Sequence, residues 1–301
     1  MNDSAPFVPL DPDAWIERLR QIPDTHRTFD VGIGRAKSEF GLDDLLIQGL
    51  IDRGLPHAAH DGEWRLANVD LHYLGVRLGT ATVYLTAMRS WADALVSSAR
   101  HPSTLARVRY VPYAAVGSDV EVLTPLRGRM RVTTERDRTA TRVEVRMRCN
   151  WPRFDPAIYD ILTYVGSLDF CLLPEALETD SAFVRRTGLA SCASAAQLIV
   201  EECARLGIEA RGSFGLLLAA PLATPRNWAE IRIAGSWVPA DPLLLATLSR
   251  YAALDEAAWP PISCPGAVLL RLADERRPIV TRGEEPVASS FVTSLSPEPT
   301  G

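Results

Sequence analysis

The chain predicts an α+β fold on three observations. Apolar residues recur at helical spacing through the first hundred positions, alternate with period two from Leu105 to Cys149, and give a helix, strand, strand order behind Cys192. At 301 residues with 47% hydrophobic side chains, the chain can bury the core of one large domain or two modest ones.

Residues 13–22 set Trp15, Leu19 and Ile22 on one helical face behind Asp11 and Pro12. Residues 42–53 repeat the pattern with Leu45, Leu46, Leu50 and Ile51 until Gly54 and Pro56 stop it. A turn at Asp61 and Gly62 carries a small hairpin near Trp64, and 69–78 and 80–97 read as a short and a long helix. Residues 1–100 are therefore expected to form a helical N-terminal region. Leu42 to Gly79 shows no concentrated basic face, so packing or substrate covering is expected there rather than DNA reading.

The period then changes. Strands are expected over 105–111, 120–123, 129–134 and 141–149, with a turn near Asp137. In the last strand Val143, Val145 and Met147 share one face and Arg142, Glu144, Arg146 and Arg148 the other, the pattern of a half-buried antiparallel strand. From Arg127 to Arg148 eight arginines stand against Glu135, Asp137 and Glu144. Such a strip is either a solvated sheet face or a landing surface for an acidic partner or anionic substrate. Pro156 opens a helix expected to run through Leu172, and 174–187 links it to the cysteine segment. The α+β domain is expected over 101–283, and 284–301, rich in Ser, Pro and Glu, reads as a flexible tail.

A net charge of -5 argues against nucleic acid as the main partner. The first residues lack a basic and apolar leader, and no apolar run approaches the about 20 residues that cross a bilayer; a cytoplasmic, non-membrane protein is expected. Cys149, Cys171, Cys192, Cys203 and Cys264 are odd in number, contain no Cys-x-x-Cys pair and have no histidine near a close pair. Free thiols are expected, with no metal site. Gly32 and Gly34 lack the preceding strand and the Lys-Ser/Thr ending of a phosphate loop, so no nucleotide cofactor is implied.

Ser191 is placed to cap a helix on which Cys192, Ala195, Ala196, Ile199, Cys203 and Leu206 share one side, with Gly207 as its stop. Cys192 then meets the positive end of the helix, where a thiolate is favoured. By periodicity alone it reads equally as a small hydrophobe.

Four stretches follow in order: Ala190-Ser191-Cys192, Leu206-Gly207-Ile208-Glu209-Ala210-Arg211, Arg226-Asn227-Trp228-Ala229-Glu230, and Trp237-Val238-Pro239-Ala240-Asp241-Pro242. Together they resemble the transglutaminase-like superfamily of papain-related Cys-His-Asp enzymes, over roughly residues 155 to 245. The resemblance implies a Cys-bearing helix against an antiparallel sheet, with Cys192 as nucleophile and Asp241 as orienting carboxylate. Arg226 stands where the family has histidine, and Trp228 and Glu230 share its strand face beside the pocket. A guanidinium keeps its proton, so Arg226 cannot act as general base.

Two arrangements follow: Arg226 holds Cys192 as a thiolate for attack on an activated acyl group, or it closes on Asp241 in a bidentate pair. His72 and His101 are the upstream candidates to replace the histidine, whereas Asn227 points to the opposite face of an extended strand. The resemblance implies cofactor-free acyl transfer or amide formation on a thioester-like, small-molecule or carrier-bound acyl substrate in small-molecule biosynthesis. The alternative is a non-catalytic transglutaminase-like binding module that lost its histidine.

Overall fold

A computed structural model describes residues 11–125 and 127–298. The extreme N-terminus, read above for a leader, and residues 299–301 of the expected tail lie outside the described residues.

In the N-terminal unit, α1 (Pro12–Arg20) begins where the Asp11 carboxylate accepts from Ala14 N. It is followed by β1 (Phe29–Gly32), α2 (Ile33–Phe40), α3 (Asp44–Asp52), β2 (His57–His60), β3 (Glu63–Ala67) and α4 (Asn68–Arg77). The expected hairpin at Trp64 is β2 with β3. Its two-residue turn, Asp61 and Gly62, has both φ angles positive, which matches the twist of the paired strands. With β1 these strands form a small sheet in the order β1-β3-β2, so the region is not helical alone. Gly32 and Gly34 start α2, a helix that the glycines hid from the periodicity.

A boundary at residue 100 does not separate the apolar cores. Ile16, Leu19, Leu50, Leu66 and Leu71 pack in one cluster with Cys171, Phe183 and Leu189 from much later in the chain. In return α5 (Thr82–Ser98) gives Leu85, Met88, Trp91 and Leu95 to the larger second core. Asp169 ties the two together: it receives Arg18 of α1, Arg77 of α4 at 3.2 Å and Arg250 at 2.8 Å. Within the first unit Arg27 and Asp70 form a buried pair at 2.9 Å, and the terminal nitrogens of the guanidinium donate to Ile22 O, Asp24 and Leu19 O.

The second core is built on antiparallel strands: β4 (Ser103–Pro112), β5 (Asp119–Thr124), β6 (Gly128–Thr133) and β7 (Thr141–Arg148). After them come α6 (Tyr159–Ser167), β8 (Asp169–Phe170), α7 (Ser181–Thr187), β9 (Leu189–Ala190), α8 (Cys192–Arg205), β10 (Ala210–Leu217), β11 (Leu222–Ile233), β12 (Ser236–Ala240) and α9 (Pro242–Tyr251). β13 (Leu269–Ala273), β14 (Val280–Arg282), β15 (Glu285–Pro286) and β16 (Ser289–Pro297) complete the chain. The main sheet runs β13-β10-β11-β16-β4-β7, with β12 also on β11, and a second sheet runs β15-β14-β5-β6.

Three expectations are corrected. The described part of the expected tail, residues 284–298, is built into the fold: β16 lies between β11 and β4 and pairs with β4 from Ser289↔Pro112 to Pro297↔Thr104. Its Ser- and Pro-rich composition suggested disorder, but the ladder is made by backbone groups, and Phe291 and Thr293 point into the core. The helix expected through Leu172 ends at Ser167, because Asp169 and Phe170 leave it to pair with Leu189 and Ala190. The 174–187 link holds α7, capped by Asp180.

On the arginine strip, Arg142 bonds Glu135 and Asp137 at 3.0 Å each, Arg131 lies 3.7 Å from Glu121, and Arg146 reaches Glu298. Arg129 donates to Thr281 and to Pro278 O. Three of the eight arginines, Arg131, Arg142 and Arg146, are thus paired with the chain's own carboxylates. No helix among the described residues is long and apolar enough to cross a membrane.

Candidate functional site

α8 starts as the sequence predicts. Ser191 Oγ accepts from Ser194 N at 3.2 Å and Ser194 Oγ accepts from Ser191 N at 2.9 Å, a reciprocal capping box that fixes Cys192 as the first helical residue. Ala195, Ala196, Ile199 and Cys203 are buried along the helix, whereas Leu206 has left that face at the C-cap and is 56% exposed. Cys192 is half-buried. Burial pushes the Cys203 thiol up to about 11, so that second thiol is inert packing at neutral pH.

β10, β11 and β12 form the platform. The two-residue Ala234-Gly235 turn, both residues at positive φ, folds β12 back on β11. β10 pairs with β11 through Gly215↔Arg226, Phe214↔Asn227 and Ser213↔Trp228. A Cβ at Gly215 would lie 2.0 Å from Leu270 O and 2.9 Å from the Trp228 ring, so only glycine admits this packing. On its other edge β11 pairs with β16 at Leu222 and Ala223 and with β12 from Ala229 to Ile233. Residues 224–228 have no strand partner on that edge, and the sheet forks where Arg226 and Asn227 sit.

Arg226 and Asp241 are both buried and meet bidentately, Nε to Oδ2 at 2.5 Å and Nη2 to Oδ1 at 3.1 Å. Asp241 also caps α9 by accepting from Leu244 N at 2.9 Å. Burial works against the Arg226 charge, but Asp241 and then Cys192 outweigh it and hold the group above its ordinary value; it remains a guanidinium. Of the two arrangements open in the sequence, the closed pair is the one present. Nη1 of Arg226 donates to no described residue.

Asn227 corrects the sequence expectation. Its Nδ2 lies 4.0 Å from Cys192 Sγ, while the neighbouring Arg226 turns to Asp241. The Trp228 ring is buried against Gly215 with Nε1 unpartnered among the described residues. Glu230 pairs with Arg211 at 2.6 Å and Arg271 at 3.5 Å rather than with Arg226, and Arg211 stacks on Trp237. Trp228 and Glu230 therefore support the platform.

His72 approaches from α4 but stops one ring short. It packs edge-on against Tyr84 with ring centroids 4.0 Å apart, is 6% exposed, and has no hydrogen bond at either nitrogen. Burial, helped by Arg77, pushes it down to about 4, so it is neutral at pH 7. Tyr84 itself adjoins the site: burial raises its phenol, Arg226 opposes that shift and Cys192 adds to it. No motif marked Tyr84, since it arrives on α5, outside the stretch that carries the resemblance. His101 lines a separate recess with Asp93 and Leu295.

Chemically, the site offers a half-buried thiol, an amide N–H beside it and a guanidinium with one free nitrogen. It has no base within hydrogen-bond reach of the sulfur among the described residues, nor three His, Cys, Asp or Glu side chains clustered for a metal. No protein-family model matches the chain, and no curated protein matches it significantly.

Proposed function

We propose that the chain is a transglutaminase-like binding module, whose Cys192 site holds a carboxylate or carbonyl group without turning it over. One observation carries this reading: the residue in the place of the general base is a guanidinium whose Nε and Nη2 are both held by Asp241. A group that never releases its proton cannot activate a thiol by proton abstraction, nor return a proton to a leaving amine. The donors left over, Asn227 Nδ2 and Arg226 Nη1, suit an acceptor oxygen.

The second reading is Cys192-dependent acyl transfer or amide formation on an activated, thioester-like substrate in small-molecule biosynthesis. It is favoured by the half-buried thiol at a helix N-terminus with an amide donor beside it, an arrangement that suits a developing oxyanion when the leaving group needs no proton. Incubation with short acyl N-acetylcysteamine thioesters, followed by intact-mass spectrometry, separates the two. The binding reading expects no acyl adduct at Cys192. An adduct present in the native protein and lost in Cys192→Ala overturns it in favour of acyl transfer.

A further inference from the structure

We propose that the long cleft beside the fork of the main sheet seats the apolar part of the ligand, so that the Cys192 site takes an acyl or carboxylate group carrying a hydrocarbon tail. This rests on reading Cys192, Asn227 and Arg226 as a ligand site, and it adds the class of ligand.

The cleft has a volume of ≈ 830 Å³, within the range of small-molecule sites. Its walls include Phe214, Pro225, Ile279, Val287 and Phe291. Three of these tie it to the site: Phe214 is the cross-strand partner of Asn227, Pro225 precedes Arg226, and Phe291 pairs with Ala223 at the fork. Cleft wall and thiol are thus joined through one side chain, Asn227, whose Nδ2 lies 4.0 Å from Cys192 Sγ. Hydrogen-bond donors mark this end.

Elsewhere the wall carries Ile279, Val280 and Val287, and three of its four charged side chains are paired within the chain. Arg276 crosses from one wall to Glu178 on the other at 2.8 Å, and Arg277 lies 3.4 Å from Glu275. A charged tail would have to displace these pairs, whereas a hydrocarbon tail needs only burial, which favours binding by about fourfold per fully buried methylene. An oxygen-bearing head at Asn227 and an aliphatic tail along Phe214 and Phe291 match this division.

The test uses N-methyl-, N-butyl- and N-octyl-iodoacetamide on the full chain, with the rate at Cys192 read by peptide mass spectrometry and normalised to each reagent's rate with glutathione. The octyl reagent is expected to label Cys192 at least about tenfold faster than the methyl reagent, a gain that full burial of about two of its extra methylenes supplies. Ala288→Trp, a substitution at an exposed position of the cleft wall, is expected to bring the octyl rate down to the methyl rate and leave the methyl rate unchanged. A flat chain-length profile, including one in which no reagent reaches the thiol, overturns the proposal. So does a steep profile that Ala288→Trp leaves intact. Thioester turnover would overturn the non-catalytic reading yet leave this chain-length dependence standing.

Discussion

Two buried arginine–aspartate pairs lie in this molecule, and they are put to different use. Arg27 in the N-terminal unit gives Nε to Asp70 and its terminal nitrogens to Ile22 O, Asp24 and Leu19 O. Every nitrogen of that guanidinium has a partner in its own chain, and together they pin the end of α1 to α4. Arg226 gives Nε and Nη2 to Asp241 and leaves Nη1 without a described partner, near a half-buried thiol and the partly buried Tyr84. The difference separates a pair whose every nitrogen is held from one that leaves a whole nitrogen beside a thiol: both are desolvated, but Arg226 alone of the two keeps an unpartnered nitrogen among the described residues.

The largest expected effect tests that contrast through stability. Arg27→Ala leaves Asp70 buried and two carbonyls without a donor, and should cost about 4 kcal/mol in urea unfolding. Arg226→Ala should cost about 2 kcal/mol, because Asp241 retains the Leu244 N–H at the start of α9. Equal costs would break the distinction.

A smaller, pH-dependent effect probes His72, which stands between the two regions. Its folded value, about 4, lies below the ordinary 6.5, so the unfolded chain binds more protons between these values and His72 draws stability away as pH falls through that window. Asp70 runs the other way. Burial raises it to about 6 against the opposing pull of Arg27, so its contribution grows more favourable as pH falls from 6 toward 3.8. The two largely offset in the native chain. His72→Leu removes one side, and its stability relative to the native protein should improve by about 2.5 kcal/mol between pH 7 and pH 4.5, measured by urea unfolding at both. No change in that difference would mean that His72 is charged or solvated in the fold.

Much of the architecture was legible because it is periodic. The 3.6-residue pattern around Leu50 and the two-residue alternation of Val143, Val145 and Met147 gave helix and strand in place, and Ser191 marked the start of α8 to the residue. β16 was not legible, since a Ser-rich strand in mid-sheet is held by the backbone ladders of its neighbours and carries little apolar signal of its own. At the site, Cys192, Arg226 and Asp241 could be named from the motif order, but the choice between an open and a closed arginine could not. That choice depends on where Asp241 points once it caps α9. Asn227 was discounted by strand alternation, yet its amide nitrogen lies 4.0 Å from the thiol, since alternation says nothing of where the start of α8 sits along the strand. Tyr84 had no local signal at all.

The most direct measurement replaces the held arginine with histidine, the base that the proposed transglutaminase-like reading expects at this position. Arg226→His sets an imidazole within reach of Asp241, and general acid–base catalysis of this kind typically contributes about a hundredfold or more. Thioester cleavage by Arg226→His is predicted to exceed that of the native chain by at least about that factor, and to vanish in the Arg226→His, Cys192→Ala double variant. A native protein whose Cys192-dependent cleavage already equals that of Arg226→His would contradict the claim that Arg226 keeps this thiol out of catalysis.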